Sequence, residues 1–262
     1  MLPFAELPSG LLYASAFALG AVIGSFVNVL IYRLPRSQSV VRPRSRCPAC
    51  GHTIPAWANI PILSYVALRG RCSACKTRIS PRYVVVEAVC GLLFVAVLWH
   101  FGPEPRLLVG WALCAALLAV IFIDAEHQII PNSITFPGIP LGLVCAWLLP
   151  TPPALLDALL GVLLVGGMMW GVAAGYEFLT GRIGLGMGDV KLVAMLGAFL
   201  GLQAALGVLV VGSLLGLGQA LVMMAFKRAG RYTRIPFGPA LALAGILHLF
   251  EPDLLFRVIG TQ

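Results

Sequence analysis

Charge is what this sequence has least of: 11% of its 262 residues are Asp, Glu, Lys or Arg, against about 25% in an ordinary soluble domain. Acid is scarcer than base, with ten Asp and Glu beside eighteen Lys and Arg. Also missing are the period-2 and period-3.6 alternations by which half-buried strands and surface helices sort their faces. The glycine run Gly184 to Asp189 has no GK[ST] ending and no strand pattern before it, which excludes a phosphate loop. No Rossmann-like fingerprint occurs either. The first apolar stretch has no basic region before it and is too long for an h-region, so it reads as a span rather than a cleaved signal.

What remains is apolar: 60% of the residues are hydrophobic, gathered in long unbroken blocks. A hydrocarbon core about 30 Å thick takes roughly 20 apolar residues per helix. About eight such blocks are present, over residues 10–31, 83–101, 106–124, 134–150, 154–177, 190–204, 206–226 and 237–250. Without water to satisfy their amides they must be helical. The later spans are rich in glycine and separated by turns as short as Thr151-Pro-Pro153, a composition that suits close helix contact. The expected class is an all-α polytopic membrane protein.

Base then orients the bundle. Of the eighteen Lys and Arg, all but Arg106 and Arg257 fall on one side of an eight-span topology. They comprise the long loop from Arg33 to Arg82, the pair Arg182 and Lys191, and the group Lys227, Arg228, Arg231 and Arg234. The positive-inside rule makes that side cytoplasmic and both termini extracytoplasmic. The net charge of +8 is therefore read as topology and attraction to anionic lipid, with no nucleic-acid partner.

The long loop is the one substantial polar region. It holds Cys47-Pro-Ala-Cys50 and, after 21 residues, Cys72-Ser-Ala-Cys75. Paired CxxC knuckles place four thiolates around one zinc ion, a closed set with a structural role. Two disulfides and unliganded buried thiols are the alternatives; a reducing cytoplasm disfavours the first. His52 is close in sequence but is expected beside the site or at the surface. Cys90, Cys114 and Cys145 stand alone in apolar spans, where a small buried hydrophobe is the default. The expected organisation is a first transmembrane helix over 1–32, a cytoplasmic four-Cys zinc domain over 33–82, and a transmembrane bundle over 83–262.

Few acids lie in spans or at their ends: Glu87, Asp124, Glu126, Asp157, Glu177 and Asp189. An ionisable group at membrane depth is costly and commonly functional. Asp124 closes the third span and Asp189 opens the sixth, so both reach the cytoplasmic face. Two carboxylates held close do not both ionise, which supplies an acid and a base around one water. The plain alternative is acids resting in the headgroup region and glycines making a turn. Glycines at 184, 186 and 188 are expected to let an extended substrate approach Asp189.

The motifs, in order, are specific. Gly24-Ser-Phe-Val-Asn-Val-Leu-Ile-Tyr-Arg-Leu-Pro35 opens the series, followed by Cys47-Pro-Ala-Cys50, Asn59-Ile-Pro-Ile-Leu-Ser-Tyr65, Arg69-Gly-Arg-Cys-Ser-Ala-Cys75, Ile79-Ser-Pro-Arg-Tyr83 and Glu87. Asp124 with Ile130-Pro-Asn132, Gly186-Met-Gly-Asp-Val-Lys191 and Pro236-Phe-Gly-Pro-Ala-Leu241 complete it. Over nearly its whole length the chain resembles the type IV prepilin peptidases, which are leader peptidases and N-methyltransferases of the GxGD class of membrane aspartyl proteases. One departure is Arg71, where the family often has Lys.

The resemblance implies Asp124 and Asp189 as the catalytic pair. It implies cleavage of basic leaders from prepilins and pseudopilins at the cytoplasmic face of the bacterial inner membrane. It also implies methylation of the new N-terminal amine with S-adenosylmethionine, for which no residue here is assigned. Relatives that keep the protease alone often lack the cysteine region; its presence here points to the bifunctional type. Glu126 and Glu177 are candidates for attracting the basic leader. Oligomeric state cannot be read. A secondary transporter would explain interrupted helices and membrane acids, but no inverted repeat is visible. A zinc-anchored assembly protein would leave the two aspartates unexplained.

Overall fold

The computed structural model describes residues 9–149, 153–182, 184–225, 236–254 and 257. The basic group at 227–234 and the Thr151-Pro152 turn lie outside them. Among the described residues the regular elements are helices, and the two isolated bridges, Arg46 with Thr53 and Arg71 with Arg78, extend no strand. The helices are α1 (Ser9–Arg33), the short α2 (Leu63–Ala67), α3 (Arg82–Phe101), α4 (Pro105–His127), α5 (Asn132–Leu148), α6 (Leu155–Leu160), α7 (Gly167–Thr180), α8 (Met187–Ala225) and α9 (Gly238–Phe250).

A π-helical stretch, Gly161–Gly166, joins α6 to α7, so that Leu155–Thr180 forms one apolar span of 26 residues. Among the described residues five spans are long and apolar enough to cross a membrane, while α5 and α9 are shorter at 17 and 13 residues. The sixth and seventh expected spans are one helix, α8, of 39 residues. Their division falls at Gly201, whose φ of 85° and ψ of 178° are not helical. Asp157 from α6 closes that break: its Oδ1 accepts the N–H of Leu202 at 3.2 Å. This is an N-cap supplied from a neighbouring helix. With the break counted, five long spans, two short ones and the second half of α8 give the eight expected segments.

The described residues fall into two compact units that divide at Ala119 and Val120, within α4. In the first unit α1 and α3 run backbone to backbone. A Cβ added to Gly24 would stand 2.8 Å from the Cα of Glu87. Further along, Phe94 and Trp111 stack at 4.9 Å, and the Trp111 indole N–H donates to the Phe94 carbonyl at 2.9 Å.

The second unit is built on α8, whose residues from Val190 to Ala198 are nearly all buried. The π stretch meets it where a Cβ on Gly161 would stand 2.7 Å from the carbonyl oxygen of Gly197. α5 meets it through Gly138 at Met195, and α9 through Gly212 at Leu241. Lipid tails are as apolar as leucine, so such helices associate by close packing, and small residues at the contacts make that possible.

Candidate active site and four-thiol cluster

Asp124 sits in the last turn of α4 and is 5% exposed. The run before it, Leu117 to Ile123, is buried at Leu117, Leu118, Ala119, Val120 and Ile123, and the same face continues onto Asp124. Its Oδ2 accepts the backbone N–H of Gly238, the first residue of α9, at 3.0 Å. A Cβ on Gly238 would stand 2.7 Å from that oxygen.

Asp189 lies in the first turn of α8 and its N–H donates to the carbonyl of Gly186 at 3.0 Å. It is close enough to Asp124 for the charge of one to act on the other. Ile130 stands between the two motifs. A Cβ on Gly188 would be 3.0 Å from its Cβ, and one on Gly238 would be 3.1 Å from its Cδ1. Two positions on, Asn132 Oδ1 accepts a hydrogen bond from Lys191 Nζ at 3.0 Å, and that ammonium lies 4.6 Å from the Phe136 ring centre. The starts of α5 and α8 are thereby tied together beside the aspartates.

The glycines before Asp189 also meet the protein's own side chains. A Cβ on Gly184 would meet the ring of Tyr176, one on Gly188 would meet Ile130, and one on Gly186 would meet the carboxylate of Asp189 itself, while Gly184 and Gly186 remain exposed. Their lack of a side chain accommodates the protein's own packing. Glu126 and Glu177 are exposed. Glu126 follows Asp124 by two positions, about 200° around the helix, so its carboxylate faces away from the pair.

The four cysteines converge. Their Sγ atoms all lie within 4.8 Å of one another, and those of Cys47 and Cys75 are 3.8 Å apart. A zinc ion with Zn–S bonds of about 2.3 Å in tetrahedral geometry requires an S–S edge of about 3.8 Å, so the thiol set fits a metal. Each CxxC is held by the same knuckle. Cys47 N–H donates to His52 O and Gly51 N–H to Cys47 O; Cys72 N–H donates to Thr77 O and Lys76 N–H to Cys72 O. The fifth residue of each knuckle has positive φ, 70° at Gly51 and 59° at Lys76. Cys75 is also hydrogen-bonded to the Thr77 hydroxyl at 3.3 Å, and that bond is the main reason its thiol is held down to about 6. His52 contributes its backbone carbonyl, and the thiol set that fits a metal is the four cysteines.

Sequence reasoning did not foresee the Gly238 donor, the Ile130 wedge or the Asn132–Lys191 bond, although all four residues stand in the motifs quoted above. The only signal was their presence there; the contacts join segments up to 114 residues apart.

Fold and site together define a multi-pass helical membrane protein with a carboxylate pair at two helix ends and a separate four-thiol module. Residues 18–101 match the bacterial peptidase A24 N-terminal domain, and residues 111–221 match the type IV leader peptidase family. Among similar proteins, a prepilin leader peptidase/N-methyltransferase of Myxococcus xanthus is 46% identical over 91% of this chain and 72% of its own length. Proteins of the same name from Stutzerimonas stutzeri and Neisseria gonorrhoeae are 40% and 39% identical, covering 91% and 94% of this chain and 90% and 92% of their own. No solved structure matches the chain. The chain belongs to the type IV leader peptidase family.

Proposed function

We propose that this protein cuts the basic leader from prepilins and pseudopilins with Asp124 and Asp189, and then N-methylates the new N-terminus with S-adenosylmethionine. The observation that carries the reading is the buried Asp124, within electrostatic reach of Asp189 at the ends of two apolar helices. A lone acid there would be an unexplained cost, whereas a pair sharing one proton is a working acid and base. The ionised carboxylate takes a proton from water as its oxygen attacks the scissile carbonyl carbon. The protonated partner polarises the carbonyl oxygen. Collapse of the tetrahedral species breaks the C–N bond, and the departing amine takes up a proton. Gly238 N–H keeps one oxygen of Asp124 fixed throughout.

In this reading the four-Cys loop over 33–82 faces the cytoplasm with zinc held by Cys47, Cys50, Cys72 and Cys75. The first helix over 1–32 and the bundle over 83–262 span the bacterial inner membrane, and both termini are extracytoplasmic. Four sulfur ligands leave the zinc no open position, so its part is to fold the loop. S-adenosylmethionine is a co-substrate, consumed once per methylation. The positive-inside distribution supports the orientation. Glu126 and Glu177, exposed acids on the cytoplasmic side, attract the basic leader. Replacing both with Gln raises the apparent Michaelis constant for leader-bearing substrate; an unchanged value refutes that role.

The test is cleavage of a purified prepilin by wild type, Asp124→Asn and Asp189→Asn, with methylation scored in parallel. Each substitution should abolish cleavage while methylation of pre-cut pilin survives. A variant that still cuts at the normal rate removes that residue from the pair.

A further inference from the structure

Glu87 is a buried acid that the protease chemistry does not use. It sits in the second turn of α3, 8% exposed, and its Oε2 accepts the backbone N–H of Ile62 at 2.8 Å. Ile62 has φ of 62° and ψ of −53°, and the N–H of Leu63 bonds back to the carbonyl of Pro61. That is the γ-turn of the rare, strained kind, here on a β-branched residue that normally avoids positive φ. Something must hold the loop in this shape, and Glu87 is the group in contact with it.

The contact also fixes depth. Arg82 begins α3, and Glu87 lies five residues further in, about 7.5 Å along the helix axis. A loop backbone bonded directly to its side chain, which leans toward the helix start, is therefore held at about the depth of the first turns of α3, at one end of a candidate membrane span. An amide at that depth needs an acceptor within the protein.

The same segment shows an apolar stripe to its surroundings. Trp57, Ile60, Leu63 and Val66 recur every third residue through a 3-10 turn (Ala56–Asn59) and α2, with exposures of 57, 47, 68 and 66%. Beyond it stand exposed cations: Arg69, Arg71, Lys76 and Arg78. Exposed apolar side chains followed along the chain by exposed cations suit an anionic bilayer surface, while a water-exposed loop would have no use for the stripe.

We propose that residues 57–66 are an interfacial anchor: Trp57, Ile60, Leu63 and Val66 enter the headgroup–acyl boundary, Arg69, Arg71, Lys76 and Arg78 meet anionic headgroups, and Glu87 tethers the segment by capping the Ile62 amide. The anchor presses the four-Cys module against the membrane.

The full-length chain carrying Trp57 as its sole tryptophan, with Trp99, Trp111, Trp147 and Trp170 changed to Phe, is reconstituted in vesicles containing anionic lipid brominated at chosen depths. Trp57 fluorescence should be quenched at least twofold more by bromine near the top of the acyl chain than by bromine at its end. A nitroxide amino acid at Leu63 in the otherwise unaltered chain gives an independent reading: collisions with oxygen should exceed those with a water-soluble nickel chelate. Glu87→Leu should lower the quenching at least twofold, and Glu87→Gln should not, because the amide oxygen still accepts from Ile62. Absence of bromine quenching overturns the anchor, whether the emission is water-like or blue-shifted by a protein partner. Undiminished quenching in Glu87→Leu overturns the tether.

Discussion

The amide of Gly238 donates to Oδ2 of Asp124 across 114 residues of chain, at 3.0 Å. The closeness of that carboxylate explains why the residue at the start of α9 is glycine. Its φ is not of the left-handed kind; the constraint is space, because a Cβ would stand 2.7 Å from that oxygen and 3.1 Å from Ile130 Cδ1. Gly238→Ala should therefore displace the carboxylate and reduce leader cleavage by about 100-fold, the usual scale for disturbing a preorganised catalytic group. The check is single-turnover cleavage in detergent. Activity within threefold of wild type means that Asp124 tolerates the displacement.

Lys191 links the starts of α5 and α8 through Asn132 and lies against Phe136. Removing it with Lys191→Met should lower kcat for cleavage by about tenfold with little change in KM, since a positioning effect acts on the bound state. Lys191→Arg should recover part of the loss, keeping the charge and a donor. A change confined to KM assigns Lys191 to substrate binding instead.

Asp157 caps the break in α8, accepting from Leu202 beside the non-helical Gly201. Asp157→Ala should destabilise the bundle by about 1–2 kcal/mol, as other N-cap losses do. Asp157→Asn, which keeps an acceptor oxygen, should cost clearly less. Gly201→Ala should be worse than either, because the added Cβ meets the Asp157 carboxylate and the backbone is at φ 85°. Thermal unfolding in one detergent ranks the three, and a stable Gly201→Ala contradicts the assignment of the break.

The thiol cluster predicts a pH response. Cys75, held down to about 6 chiefly by the Thr77 hydroxyl, is a thiolate at neutral pH, the form a metal requires. A depressed value means that the favourable state is present above it and lost as pH falls through it. A metal held by the four thiolates, measured by release to a chromogenic chelator, should therefore leave on acidification, because each ligand must be deprotonated to bind. Thr77→Val removes the hydrogen bond, raises the thiol toward its ordinary value and should shift release to higher pH. Single Cys→Ser changes at 47, 50, 72 or 75 should abolish zinc binding and leave leader cleavage within about threefold, because the set is closed and has no position for substrate.

Much of this was legible before any coordinates. Scarcity of charge and the length of the apolar blocks required spanning helices, and the CxxC spacing favoured a shared four-thiol site over disulfides or unliganded thiols; the structure brings both about. The aspartates were legible as costly residues at span ends. Their partners were not. Gly238, Ile130, Asn132 and Lys191 stand in the quoted motifs, but what they touch cannot be read until the helices are packed, because a hydrogen bond across 114 residues leaves no periodicity. The glycines at 184, 186 and 188 were legible only in part, for a related reason. Glycine signals close approach, yet the sequence does not say by what; within the chain the neighbours are Tyr176, Asp189 and Ile130.

The division between the two kinds of information is therefore physical. Local composition by itself determined the membrane class, the helical state and the thiol cluster, because hydrophobic transfer, backbone satisfaction and ligand spacing all act over a few residues to a few turns. Tertiary structure alone decided that α8 is one helix broken at Gly201 and capped by Asp157. It also decided that α9 delivers an amide to Asp124, and that Glu87 holds a strained turn of the loop. Those outcomes depend on which helices come within van der Waals contact, and that is settled by packing over the whole bundle.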